Sequence, residues 1–354
     1  MNIYDTYFML AAVREMPLMR RFFRDRYFPT NTNLDIFGSA RVLVDFYEGN
    51  KRLAPFVMPR IGGVSILRDA FQTFELEPPN ISLRRTLTVD NLKTRGFGEA
   101  LNSQMTPADR ESMLLLEDMR VLSDRITRRE EWMAAKTMIN NGCVMRHITD
   151  REDVTFEEIN AQFFSGTDNP ALYTPSYPWY DGDPRWRDDV RAMAKSLSQR
   201  GLPAADLIIA PDVESFIMRD EWLLKLLDNN RVEIGRIAPN ELPNGTTFLG
   251  SINFGGILLN IIVSEETYED EYDNIVTYLP AGTVIVTAPG CGHCIYGGVT
   301  QMEADEQFYT HAAARVPMFF ADRRHGTKEV ILTSKPLMAP KRANPWMVAK
   351  NVFS

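Results

Sequence analysis

The chain has 354 residues, 44% of them hydrophobic and 24% charged, a composition that excludes disordered, collagenous and disulfide-scaffold classes. Its length exceeds the roughly 250–300 residues that one hydrophobic core supports, so two domains, or one domain with large excursions, are expected. Lys and Arg total 39 against 47 Asp and Glu, a net charge of −8, which argues against affinity built on neutralising nucleic-acid phosphates.

The N-terminal stretch places Asp5 before its apolar residues and Arg14 and Glu15 straight after them, without a small-residue cleavage pattern, so no secretory signal is expected. The longest nearly apolar run, Phe254 to Val263, has about ten residues where a spanning helix needs about 20, so no membrane partner is expected. The three cysteines, Cys143, Cys291 and Cys294, are too few for a secreted disulfide framework and fit a reducing cytoplasm.

Residues 1 to about 55 mix short apolar bursts with an Arg/aromatic cluster around Arg20, Arg21, Phe22 and Phe23, closed by Pro29, and read as an arm. From Phe56 to about Asp90 the alternation turns β-like, with Phe74 and Leu76 on one face, a Pro78-Pro79 break, then Ile81 and Leu83. This predicts a long hairpin whose apolar side needs a surface from a neighbouring domain or another subunit.

Thr106-Pro107-Ala108-Asp109 combines a capping hydroxyl, proline at the first helical position and an acid at the third. Leu115, Met119, Leu122, Ile126 and Met133 follow at helical spacing, with Gly142 available to end the helix. A helix over about 107–141 is predicted, about 50 Å long at 1.5 Å per residue. Arg128, Arg129, Glu130 and Glu131 are expected away from the stripe, on a solvated face or an inter-subunit ion-pair surface. A hairpin at 143–155 and a Pro-rich connection over 163–183 lead to a mixed α/β region. There a helix is expected from Asp183-Pro184 to Arg200, a buried strand at Leu207-Ile208-Ile209-Ala210, a helical stretch from about Asp212 to Asp228, and strands near 246–252, 255–263 and 283–286. The tail returns to strands at 316–321 and 329–338, expected to pair with the hairpin after the long helix.

The run Cys291-Gly292-His293-Cys294 follows an apolar strand and resembles the redox site of protein disulfide isomerases. Such chemistry places the first thiol at a helix N-terminus, whereas Ile295-Tyr296-Gly297-Gly298 follows here, so a tight turn with incidental thiols is the expectation. Cys291, His293 and Cys294 are weak metal candidates that would need a fourth ligand such as Cys143 or His311. Patterns for a serine hydrolase, a zinc protease and a phosphate-binding loop are absent, and Gly96-Phe97-Gly98 lacks the third glycine of a dinucleotide loop. No catalytic residue and no cofactor is expected.

Arg95-Gly96-Phe97-Gly98-Glu99 and Ile126-Thr127-Arg128-Arg129-Glu130-Glu131-Trp132-Met133-Ala134-Ala135 resemble the R-x-x-G-E and I-x-R-R-E-x-x-x-A stretches of the lambda-type (gpE-like) major capsid proteins of tailed bacteriophages. Arg21-Phe22-Phe23, Phe74-Glu75-Leu76-Glu77-Pro78-Pro79, Leu279-Pro280-Ala281-Gly282, Lys335-Pro336-Leu337-Met338-Ala339-Pro340 and Asn344-Pro345 occur in that family's order. The Cys291–Cys294 run departs from the family pattern. The resemblance implies an α+β, HK97-like capsid fold: an N-terminal arm (1–55), an extended E-loop (56–95), a P-domain with the spine helix (96–182), an A-domain (183–305) and a return to the P-domain (306–354). It implies a non-enzymatic protein of the virion, forming hexamers and pentamers of an icosahedral head around double-stranded DNA without sequence-specific contacts. Assembly in the bacterial host cytoplasm, with scaffolding protein, portal and a decoration protein as partners, is the corresponding expectation. Inter-subunit contacts are expected at Arg20, Arg21, Phe22, Phe23, Phe74, Leu76, Pro78, Pro79, Ile81, Leu83, Arg128, Arg129 and Glu130. The alternatives are an encapsulin-like compartment shell and a thiol-disulfide oxidoreductase using Cys291 and Cys294.

Overall fold

The computed structural model describes residues 9–10, 13, 19, 21–47, 71–93, 106–148, 156–180, 184–223, 235–242, 245–270, 273–303, 305–322 and 324–354. Its longest element is the helix Pro107–Asn140. The start is the predicted one: the Asp109 N–H donates to Thr106 Oγ1 at 3.2 Å and the Thr106 N–H donates back to Asp109 Oδ2 at 3.1 Å, a reciprocal cap with Pro107 behind it. The end differs by one residue. Asn141 takes the left-handed conformation at φ 53°, and Gly142 begins the following strand. Gly142 is needed there for another reason, since a Cβ would stand 2.6 Å from the Ala161 carbonyl oxygen on the paired strand.

The predicted stripe of this spine helix is buried. Leu115, Met119, Leu122 and Ile126 form a small core with Met9, Val13, Val330 and Leu332, while Met133, Ala134, Ala135 and Met138 enter the main core. Over the first half lies a three-stranded antiparallel sheet in the order Val316–Asp322, Thr327–Ser334, Ile81–Thr88. Two expectations are corrected here. The stretch 56–90 is not one hairpin: Phe71–Leu76 runs antiparallel to Val42–Tyr47, upstream of residue 56, while Ile81–Thr88 belongs to the three-stranded sheet. The tail strands pair with each other and with Ile81–Thr88, not with the hairpin Gly142–Ile148/Phe156–Gln162, whose two strands, among the described residues, pair with each other alone. Pro78 and Pro79 explain the first correction: neither has an N–H to donate, and fixed φ angles turn the chain away from a tight return. The apolar face carrying Ile81 and Leu83 then packs on the chain's own small core.

The second body is a seven-stranded mixed sheet in the order Leu172–Tyr173, Met347–Ala349, Val284–Thr287, Asp206–Ile209, Leu258–Ser264, Thr246–Asn253, Gly235–Leu242. Asp206–Ile209 is parallel to Leu258–Ser264 and antiparallel to Val284–Thr287, and buried throughout, as expected for a central strand. The helix Arg185–Gln199 packs on this sheet at Val284–Thr287 and Met347–Ala349 and buries Trp186, Val190, Met193, Ala194 and Leu197, one face at steps of three and four. The next helix is shorter than expected, Pro211–Ile217, and residues 224–228 of that expectation lie outside the described residues, as does Asp183. Met347–Ala349 joins this sheet although the tail was expected to return to the spine region. Among the described residues no helix is long and apolar enough to cross a membrane.

Candidate functional site: the arm clamped on the spine

The arm segment Arg21–Phe28 is where the two bodies meet. Phe22, Phe23, Tyr27 and Phe28 are buried, with Phe22 edge-on to Phe23 at 5.0 Å and Phe28 against Trp346 at 5.8 Å. Six of these residues, Phe22–Tyr27, form a short helix with no side-chain cap of its own. The spine supplies the cap: the Phe23 N–H donates to Glu131 Oε1 at 2.7 Å and the Arg24 N–H to Glu131 Oε2 at 2.8 Å.

Guanidinium groups fix the rest. Arg21 pairs with Glu266, and Arg24 pairs with Asp25 and, at 3.0 Å, with Glu130. Arg26 grips both oxygens of the fully buried Asp206 at 2.7 and 3.0 Å, and the Tyr27 hydroxyl donates to the same carboxylate at 2.9 Å. Bidentate guanidinium–carboxylate pairs of this kind set geometry as well as energy. Glu130 is the second node: Arg315 donates to its two oxygens at 2.7 and 2.8 Å, and the Tyr296 hydroxyl donates at 3.0 Å.

The two neighbouring glutamates titrate in opposite directions. Burial pushes Glu130 up, but the charges of Arg315 and Arg24 more than offset it and hold the carboxyl below its ordinary range. Burial also pushes Glu131 up, and without an ion pair to oppose it the carboxyl reaches about 7.

Glu130 and Glu131 are fully enclosed, which corrects the expectation of a solvated or inter-subunit face. Arg21, Phe22 and Phe23 are likewise held inside their own chain, and Pro78 and Pro79 are buried. Ile81 and Leu83 are partly buried on the small core and Leu76 on the main core. Arg20 and the Phe74 side chain lie outside the described residues. Arg128 and Arg129 are exposed, and with Arg125 they line one wall of an open groove of about 780 Å³ whose other wall carries Glu269, Asp270 and Asp273. The partners Asp206, Glu266, Tyr296 and Arg315 carried no local sequence signal, because each lies more than a hundred residues from what it binds.

Cys291 sits at a turn and Gly292–Tyr296 is a strand paired antiparallel with Pro336–Pro340, so no helix lies behind the thiol. Burial pushes both the Cys291 and Cys294 thiols up to about 12, opposite to an activated thiolate. His293 Nδ1 faces Asp35 Oδ1 at 3.0 Å, while Cys294 is enclosed in the main core. Gly292 has a packing role: a Cβ there would stand 2.4 Å from two carbons of the Phe28 ring and 2.9 Å from the Ala339 carbonyl oxygen. Gly292→Ala therefore forces the arm or the strand to shift, and urea unfolding should read a loss of about 1–3 kcal/mol.

The fold is that of capsid subunits. A prophage protein of E. coli CFT073, solved as a capsid protein, is similar over 98% of each chain at 15% identity with a TM-score of 0.68. A phage-related protein of Bordetella bronchiseptica RB50 is similar over 98% of this chain and 96% of its own, at 10% identity and a TM-score of 0.52. The SrpI encapsulin of Synechococcus elongatus PCC 7942 covers 80% of this chain and 78% of its own at 13% identity and a TM-score of 0.41, too distant to carry an argument. No curated protein matches the chain by sequence. Residues 5–351 match the phage major capsid protein E family, and the chain belongs to that family. It is thus a major capsid protein with an HK97-like α+β fold, a structural component of the phage virion.

Proposed function

We propose that the chain assembles into hexamers and pentamers that close an icosahedral head around double-stranded DNA, in the bacterial host cytoplasm, with scaffolding protein, portal and a decoration protein as partners. The observation that carries this reading is the family match over 5–351. The surface chemistry supports it. On the hairpin of Val299–Met302 and Phe308–His311, Met302 and Phe308 are cross-strand partners left 52% and 73% exposed, an apolar pair suited to burial against another copy. A net charge of −8 suits a container that must release its nucleic acid rather than hold it tightly. The reading divides the chain into arm, E-loop, P-domain and A-domain, with exposed Arg128 and Arg129 at a subunit contact.

Negative-stain microscopy and sedimentation of the expressed protein, across salt concentrations and with co-expressed phage scaffold, should give capsomers, shells or tubes. A lone 40 kDa species under all conditions would overturn the reading. Shells filled with a cargo enzyme rather than DNA in infected cells would replace it by the encapsulin-like one.

A further inference from the structure

We propose that the arm segment Arg21–Phe28 docks on the spine helix with uptake of one proton, taken up on Glu131, so that mild acid tightens the arm and a rise toward neutral pH loosens it. Around the arm's short helix three guanidinium groups, Arg21, Arg24 and Arg315, meet four carboxylates, Asp25, Glu130, Glu131 and Glu266. Three of the four carboxylates hold a guanidinium: Glu130 binds Arg315 and Arg24, Asp25 binds Arg24, and Glu266 binds Arg21. Glu131 holds backbone N–H groups instead, and it is fully buried. Glu266 adds a like charge nearby and leaves its Oε2 buried without a hydrogen-bond partner. Asp25 is exposed and its charge is met by water, so of the three enclosed carboxylates Glu130, Glu131 and Glu266 only Glu131 holds no guanidinium, and a carboxylate buried without an ion pair binds a proton more tightly than it does in water.

Burial outweighs what favours the ionised form of Glu131, namely the two backbone N–H groups of Phe23 and Arg24 and the charge of Arg21. Tyr278 and Tyr296 are held neutral by burial, with both hydroxyls pushed up, and Arg128 lies on the exposed side of the spine. When the arm lifts, Glu131 meets water and titrates near the ordinary value of 4.5; docked, burial pushes it up to about 7. A carboxyl raised in the docked state contributes its stabilisation below the ordinary range, and that contribution is lost as pH rises toward 7. Glu130, held below its ordinary range, works in the other direction and weakens the site only in stronger acid. Between these limits the arm is most firmly held in mild acid.

Hydrogen exchange on the full chain tests this, with amide protection taken relative to an unstructured peptide at each pH. Protection at Phe23 and Arg24 should fall roughly tenfold per pH unit between about pH 5 and pH 7, the signature of one linked proton, while Leu207–Ile209 in the central sheet stays level. Glu131→Gln should abolish the slope. Glu266→Gln, which removes the neighbouring like charge, should move the window to lower pH and serves where Glu131→Gln does not fold. A flat wild-type profile, a slope that survives Glu131→Gln, a window unmoved by Glu266→Gln, or parallel loss at Leu207–Ile209 would each overturn the proposal. The readout needs no assembled shell, so its failure is separate from failure of the capsid assembly reading.

Discussion

Glu130→Ala should cost about 3–5 kcal/mol of unfolding free energy in urea titration, the cost of breaking a buried ion pair from one side. Glu130 is fully enclosed, and its removal leaves Arg315 and Arg24 without their shared carboxylate in a site closed to water. Tyr296 loses its acceptor at the same time. The loss should be partly recovered in the double variant Glu130→Leu with Arg315→Met, which removes both ends of the principal pair and leaves Arg24 with Asp25. A single substitution that costs under about 1 kcal/mol would show that the node contributes alignment and little stability.

Leu122→Ala should cost about 2–5 kcal/mol, the range for emptying a buried leucine site. Leu122 is 3% exposed and lies midway along the small core beneath the three-stranded sheet, among Met119, Ile126, Val330 and Leu332. Those neighbours belong to a helix and to a paired strand, which resist collapse into the space vacated. Arg128→Ala, on the exposed side of the same helix, should change stability by no more than about 0.5 kcal/mol. Equal effects of the two substitutions in chemical denaturation would mean that the helix phase is wrong.

What was legible in the sequence is what local chemistry decides. Thr106, Pro107 and Asp109 are adjacent in sequence and in space, so the helix start could be read directly. The stripe of Leu115, Met119, Leu122, Ile126 and Met133 is a period, and periods survive without knowledge of partners. The extent of the hairpin was not legible, because the alternation over 56–90 is continuous while its strands pair elsewhere: 71–76 with 42–47, and 81–88 with 327–334, far along the chain. Glu130 was misplaced although a signal existed. It lies four residues after Ile126 and three before Met133, in phase with the buried stripe, and a carboxylate in that phase calls for a buried cation. Which cation could not be read, because Arg315 is 185 residues away.

The place of Met347–Ala349 bears on when the protein can fold. This strand lies between Leu172–Tyr173 and Val284–Thr287, and Trp346 beside it is completely enclosed. A nascent chain that has not yet released residue 349 from the ribosome therefore carries a central sheet with an open edge and a gap where the tryptophan belongs. Closure of the core waits for residues 346–349, and a chain broken off before them is marked by that open edge. The interior of the fold thereby checks that synthesis has reached residue 349 before a subunit is fit to take its place among others.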